Sequence, residues 1–236
     1  MSLSQFQIRL IIMKRTIFFL LAVMSMMVTK AHYVDKCDID VISTDGNEIR
    51  VLVGVVTIES KTKNLYVLTT PDTLAIKAVI VNPTSHFSRE YDFHFKDIVI
   101  PYTEENLGRL KAISDKYTEW SKTAIENNVG HMEKDIDISI ADLYVHLYET
   151  SGNKVTNEFN ISVEKKKFIF CVPATREKEP MLRIILNGKD HKKDSKYFAG
   201  SLWFNNYREF EDFVKFIQPE NLTDRLKNKT IDKLFK

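Results

Sequence analysis

Apolar residues in the first half of the chain come in short runs of period two, broken by turn formers. Val41-Ile42 and residues 49–53 flank Thr44-Asp45-Gly46-Asn47, and Asp-Gly between two such runs predicts a β-hairpin. Residues 65–68, 74–81 and 91–100 extend the series to about five strands. Within the last of these, Tyr91, Phe93 and Phe95 alternate with Asp92, His94 and Lys96, so one face is buried and the other wet.

After Pro101 the period lengthens. Leu107, Leu110, Ile113, Tyr117, Trp120, Ala124 and Ile125 fall mostly three or four apart, which draws one apolar stripe on a long helix. Thr103 suits its N-cap, Glu104 and Glu105 suit the positive end of its dipole, and Gly130 marks the stop. Both patterns then recur. A strand runs from about 134 to 148, Ser151-Gly152-Asn153 turns it, and strands follow near 159–163, 167–172, 182–186 and 197–204, with Asn187-Gly188 as a further turn. Tyr207, Phe210, Phe213, Val214 and Ile217 make the face of a second helix, with Asn206 and Glu209 as a capping box and Pro219 at its end. Leu222, Leu226, Ile231 and Leu234 describe a short amphipathic tail.

These elements predict an α+β fold of predominantly antiparallel β-meanders with two main helices. Each half reads as about five strands followed by one helix, so a tandem pair of units is expected, 32–131 and 132–236, the second carrying the helical tail. One mixed sheet covered by two helices fits the same pattern.

Residues 1–31 stand apart. From Met13, Lys14 and Arg15 precede a twelve-residue apolar run, 17–28, and Thr29-Lys30-Ala31 sets small residues at the −3 and −1 positions of a cut before His32. That is the layout of a signal peptide whose start is Met13. The run is shorter than the roughly 20 residues a membrane-spanning helix needs, so no permanent span is expected. The leader also changes the charge. It holds Arg9, Lys14, Arg15, Lys30 and no acid, so removing it takes the formal charge from +2 to −2. A near-neutral mature protein gives no argument for a nucleic-acid partner. Export also brings Cys37 and Cys171 into an oxidising compartment, where two readings stand: a cystine, or a buried free thiol at Cys171 within Phe168-Ile169-Phe170-Cys171-Val172.

Motif chemistry is sparse. The seven glycines fall in turns, at a helix end or inside elements, and none is left to build a phosphate-cradling loop. Neither a GxGxxG nor a GxxxxGK pattern is present. No catalytic residue, metal site or cofactor is assigned. The weak binding candidates are Asp135 and Asp137, on one face of a predicted strand, with His94 on the polar face of its strand and His146 between Tyr144 and Tyr148. Trp203, and the basic loop containing Lys189, His191, Lys192 and Lys193, complete the set. The reading that follows is an exported, non-enzymatic protein, periplasmic or at the cell surface, recognising a protein or glycan partner in the manner of an immunity or inhibitor protein. A periplasmic hydrolase using dispersed Asp and His residues, and a structural component of an envelope assembly that docks its C-terminal tail, are the alternatives.

Overall fold

Among the described residues the period-two runs become eleven antiparallel strands: β1 (Val34–Asp35), β2 (Asp40–Asp45), β3 (Glu48–Ile58), β4 (Lys61–Thr69), β5 (Ile76–Val81), β6 (Phe93–Pro101), β7 (Met132–Ile136), β8 (Tyr144–Ser151), β9 (Lys154–Val172), β10 (Met181–Lys189) and β11 (Tyr197–Phe204). The longer period gives α1 (Glu104–Glu126), α2 (Tyr207–Phe216) and α3 (Pro219–Asn228). The computed structural model describes residues 34–35, 40–45, 48–58, 61–70, 75–81, 93–151, 154–175, 179–189 and 197–228. Tyr33–Lys236 form one compact unit; the leader lies outside the described residues. No helix among the described residues is long and apolar enough to cross a membrane.

The strands join one sheet in the order β1-β3-β4-β5-β6-β8-β9-β10-β11, with β2 beside β3 and β7 beside β9. The β6–β8 ladder, from Phe93↔Glu149 to Val99↔Tyr144, carries the sheet across the stretch where the helix α1 intervenes in sequence. A run of strands followed by a helix occurs twice in chain order. The hairpin expected around Asp45-Gly46 forms, with Asp45 opposite Glu48.

At six places in the described ladders one strand carries an extra residue: Ile42 in β2, Val53 in β3, Lys77 in β5, Lys96 in β6, and Thr156 and Glu164 in β9. Each such bulge bends its strand and increases the local twist. The sheet curls, and β11 comes against β3. One face lines a single large core with the buried sides of α1 and α2, centred on Tyr117, Phe170, Phe204, Phe210 and Phe213. Tyr117 donates its hydroxyl to the carbonyls of Pro180 and Phe204, so this buried tyrosine ties α1 to the ends of β10 and β11.

Several sequence expectations change. Asn187-Gly188 is not a turn: β10 runs through it, and the register shift opposite Glu164 absorbs the irregularity. Residues 159–163 and 167–172 belong to one strand, because Glu164 bulges out and Lys165, Lys166 and Lys167 continue the ladder with β10, opposite Asn187, Leu186 and Ile185. The helix α1 ends at Glu126 with Asn127 as its C-cap, not at Gly130. Asn128 takes the left-handed conformation at φ 49, and Val129 and Asn128 donate to the carbonyls of Ala124 and Ile125, a Schellman closure that asparagine tolerates. Pro219 does end α2, and it also begins α3, as proline's missing N–H permits at a first helical position. Leu222 and Leu226 of α3 are buried in the same core, and Arg225 Nε donates to the carbonyl of Val53 at the β3 bulge. The tail helix therefore docks on its own fold as far as Asn228. Cys171 is a free, buried thiol, which corrects the expectation of a cystine with Cys37. Burial pushes that thiol up to about 11, reinforced by Glu133, so it behaves as a small apolar residue. Cys37 lies outside the described residues.

The predicted strand 134–148 is interrupted. β7 and β8 lie end to end along the same edge of β9, and residues 137–143 loop out between them. Buried Asn106 of α1 fastens this segment: its Nδ2 donates to the carbonyls of Pro101 and Ala141, and its Oδ1 accepts from Ala141 N. Arg109 adds a bond to the carbonyl of Ser139, and Asp142 sits at φ 48.

Candidate functional site

The second face of the sheet does not look like a simple wet face. In β5, Val79 and Val81 point into the main core, so Ala78 and Ile80 point the other way. These two and Val99 of β6 are buried, and Tyr66, Leu68 and Tyr144 pack half-buried around them. Cross-strand register accounts for the cluster: Leu68 opposes Ala78, Tyr66 opposes Ile80, Ile80 opposes Val99, and Val99 opposes Tyr144.

Next to this cluster lies a charged clamp spanning three strands. Arg50 of β3 reaches Asp97 of β6 with two bonds, Nη1 to Oδ2 at 2.8 Å and Nη2 to Oδ1 at 2.9 Å. On its way the guanidinium passes 4.1 Å from the centre of the Tyr66 ring. His146 of β8 holds the same carboxylate, Nδ1 to Oδ2 at 3.3 Å, and its ring tilts against Tyr144 at 5.5 Å. The Asp97 side chain is 0% exposed, against 18% for Arg50 and 24% for His146. Burial by itself raises a carboxyl pKa, but the hydrogen bonds and charges of His146 and Arg50 outweigh it and hold Asp97 below the ordinary value. Tyr144 moves up, through burial and the nearby Glu48 and Asp97 charges. At the margins, Lys77 pairs with Glu48 at 2.9 Å and Lys96 with Glu158 at 3.0 Å, so the charges bordering the face are compensated.

The bulge at Lys96 creates this arrangement. Strict alternation back from Ile98 and Ile100, which face the core, gives no place to two successive outward residues at Lys96 and Asp97. The extra residue instead puts Asp97 opposite His146 and returns Ile98 and Ile100 to the core. Sequence reasoning singled out His146 and missed Asp97, Arg50, Tyr66 and Tyr144. The available signal was the adjacent polar pair Lys96-Asp97 interrupting an otherwise alternating strand, a mark of a bulge.

The remaining candidates do not converge. Asp135 is exposed on β7 and pairs with Lys167 at 3.2 Å. Asp137 is not on that strand: the ladder stops at Ile136, where Ile138 N turns back to the Ile136 carbonyl. Neither aspartate is paired with His146, whose carboxylate partner is Asp97. His94 pairs through its backbone position with Tyr148, and its side chain lies outside the described residues. Lys189 closes β10 opposite Tyr197, while His191, Lys192 and Lys193 lie outside the described residues. Trp203 is half-buried and opposes Arg183, whose guanidinium carbon stands 4.9 Å from its ring centre. Among the described residues, no group of three or more His, Cys, Asp or Glu side chains is placed to hold a metal ion. Comparison with protein-family models, with curated proteins and with solved structures finds no match to this chain.

Proposed function

We propose that the chain is an exported, non-enzymatic binding protein that recognises a protein partner through the sheet face bearing Tyr66, Leu68, Tyr144 and the Arg50–Asp97–His146 clamp. The observation behind this reading is the combination on that face of half-buried tyrosines and leucine with a fully buried, doubly held carboxylate. Tyrosine and arginine anchors held rigid on a scaffold, with charges already compensated, are the chemistry of an interface centre. A protein partner is favoured over a glycan because the ring faces are engaged. Arg50 covers Tyr66, His146 leans on Tyr144, and Arg183 covers Trp203, which leaves edges and hydroxyls rather than flat rings for a sugar to stack on. An immunity or inhibitor protein is the form of this function that fits an exported chain. The hydrolase reading loses its dispersed aspartates, since Asp135 is occupied by Lys167 and neither it nor Asp137 joins His146. The envelope-assembly reading loses the start of its tail, because Leu222 and Leu226 are buried in the chain's own core.

The test is affinity capture from the native cell envelope with the native protein and with a Tyr66→Ala/Tyr144→Ala variant as baits. A protein retained by the first and lost by the second, with thermal midpoints unchanged, supports the reading. Equal retention by both baits, or retention of glycan alone, overturns it.

A further inference from the structure

The outward face of β9, β10 and β11 carries a second partly apolar patch. Leu182, Ile184, Phe168, Phe170, Leu202 and Phe204 belong to the main core. Alternation therefore turns Ile169, Cys171, Arg183, Ile185 and Trp203 to the other side of the sheet. Ile169 and Cys171 are only 8% and 5% exposed, although they lie outside that core. In the cross-strand register Arg183 stands between Ile169 and Trp203, and Met181 lies opposite Cys171.

Arg183 is the residue of this patch that the fold leaves unsatisfied. It is half-buried, and its guanidinium carbon stands 4.9 Å from the centre of the Trp203 ring, so a cation–π contact holds it in place. Among the described residues it makes no ion pair and no side-chain hydrogen bond, and its Nε is buried without a partner. Native folds leave few buried polar atoms in that state. Asn187, further along the same face of β10, leaves its buried Oδ1 without a partner as well. The acids nearby do not serve Arg183. Asp135, opposite Ile169, is taken by Lys167 at 3.2 Å, and Glu133 stands opposite Cys171 with no ion pair to Arg183.

A planar guanidinium fixed over an aromatic ring is suited to receive a carboxylate through two parallel N–H···O bonds. One free arginine matches a singly charged oxyanion better than a phosphate dianion, because the neighbouring Lys167 is already paired. The guanidinium covers Trp203, so neither a base nor a sugar stacks there. Half-buried Ile185 and Trp203 beside it suit a carboxylate carried among apolar residues. We propose that Arg183 and Trp203 form an anchor that receives a glutamate or aspartate side chain of a protein partner, whose adjoining apolar residues pack on Ile185 and Trp203. The kind of partner rests on the protein-binding reading above. The anchor itself shares no residue with the Tyr66–Tyr144 face, so the two can fail separately.

NMR of the purified protein, following the Arg183 Nε–H and the Trp203 indole N–H, tests the anchor. The probes are acetyl-Leu-Glu-Leu-amide, acetyl-Leu-Gln-Leu-amide and inorganic phosphate at one ionic strength. The glutamate peptide shifts both signals saturably, with half the effect below about 10 mM, and the other two probes bind at least about fivefold more weakly. Arg183→Leu abolishes the response at Trp203. Arg183→Lys, which keeps the charge and loses the fork, weakens it about threefold or more. Tyr66→Ala/Tyr144→Ala responds as the native protein does. No saturable shift with the glutamate peptide, equal affinity for the glutamine peptide or for phosphate, or a native response in Arg183→Leu each overturns the anchor. So does loss of the response in a folded Tyr66→Ala/Tyr144→Ala variant, which would make the two faces one site. If Arg183→Leu does not fold, native affinity in Arg183→Lys is the overturning result.

Discussion

Asp97 is the residue on which the outer sheet face turns. It is fully buried, yet charged, because Arg50 supplies a two-pronged partner and His146 a second donor. Removing one member of such a pair leaves an uncompensated buried charge, at a cost of roughly 3–5 kcal/mol. Asp97→Ala is therefore expected to destabilise by about 3 kcal/mol in urea unfolding, more than any exposed pair such as Lys111–Asp115. The pH dependence has a definite sign. The folded pKa is lowered from the 3.8 of a free aspartate, so the stabilisation is complete above that value and is lost as pH falls through the lower folded one. Asp97→Asn should flatten the acid limb of the stability curve. An unchanged limb would show that Asp97 is not held charged in the native state. Arg50 and Asp97 are 47 residues apart in the sequence, and Asp97 and His146 are 49 apart, so nothing in local spacing points to their meeting.

Elements were easiest to read where the sequence pattern and the local chemistry agreed. Thr103 does cap α1, accepting from Asn106 N, and Asn206 caps α2, accepting from Glu209 N. The Glu209 carboxylate reaches back to Asn205 N, one residue before the cap, and so still satisfies a donor at the helix entry. Elements were misread where a bulge changed the phase or where a long-range bond overrode the pattern. The predicted run 49–53 stops before Gly54, but β3 passes through that glycine to Ile58, with Val53 as the extra residue. The Ile138-Ser139-Ile140 stretch reads as strand, but Asn106, more than thirty residues earlier, holds the neighbouring Ala141 at both its N–H and C=O. Asn106→Ala leaves the Ala141 amide and carbonyl and the Pro101 carbonyl without their partner. The expected cost is roughly 2–4 kcal/mol, with faster amide exchange concentrated in 137–143. Exchange that rises evenly over the whole sheet would mean the clamp is not local.

At the scale of the molecule, the export reading rests on residues 13–31 and on nothing in the folded unit. Protein recovered from outside the cytoplasm should begin at His32, as read by N-terminal sequencing; cytosolic protein that keeps the segment would sink the assignment. Within the folded unit, the chain's own periodicities settled much. Period two in Val79–Val81 and period three to four in Leu107–Ala124 follow from backbone geometry alone, so the α+β class, the antiparallel meanders, the two main helices and their N-caps were legible residue by residue. What periodicity does not encode is which strand lies beside which, and where an extra residue shifts the phase. Tertiary structure decided that β6 pairs with β8, that a bulge at Lys96 aims Asp97 at His146, and that α3 folds back onto Val53. Each of these depends on contacts between residues far apart in the chain, made only once the core has closed. Local propensity acts over a few residues and carries no information about them.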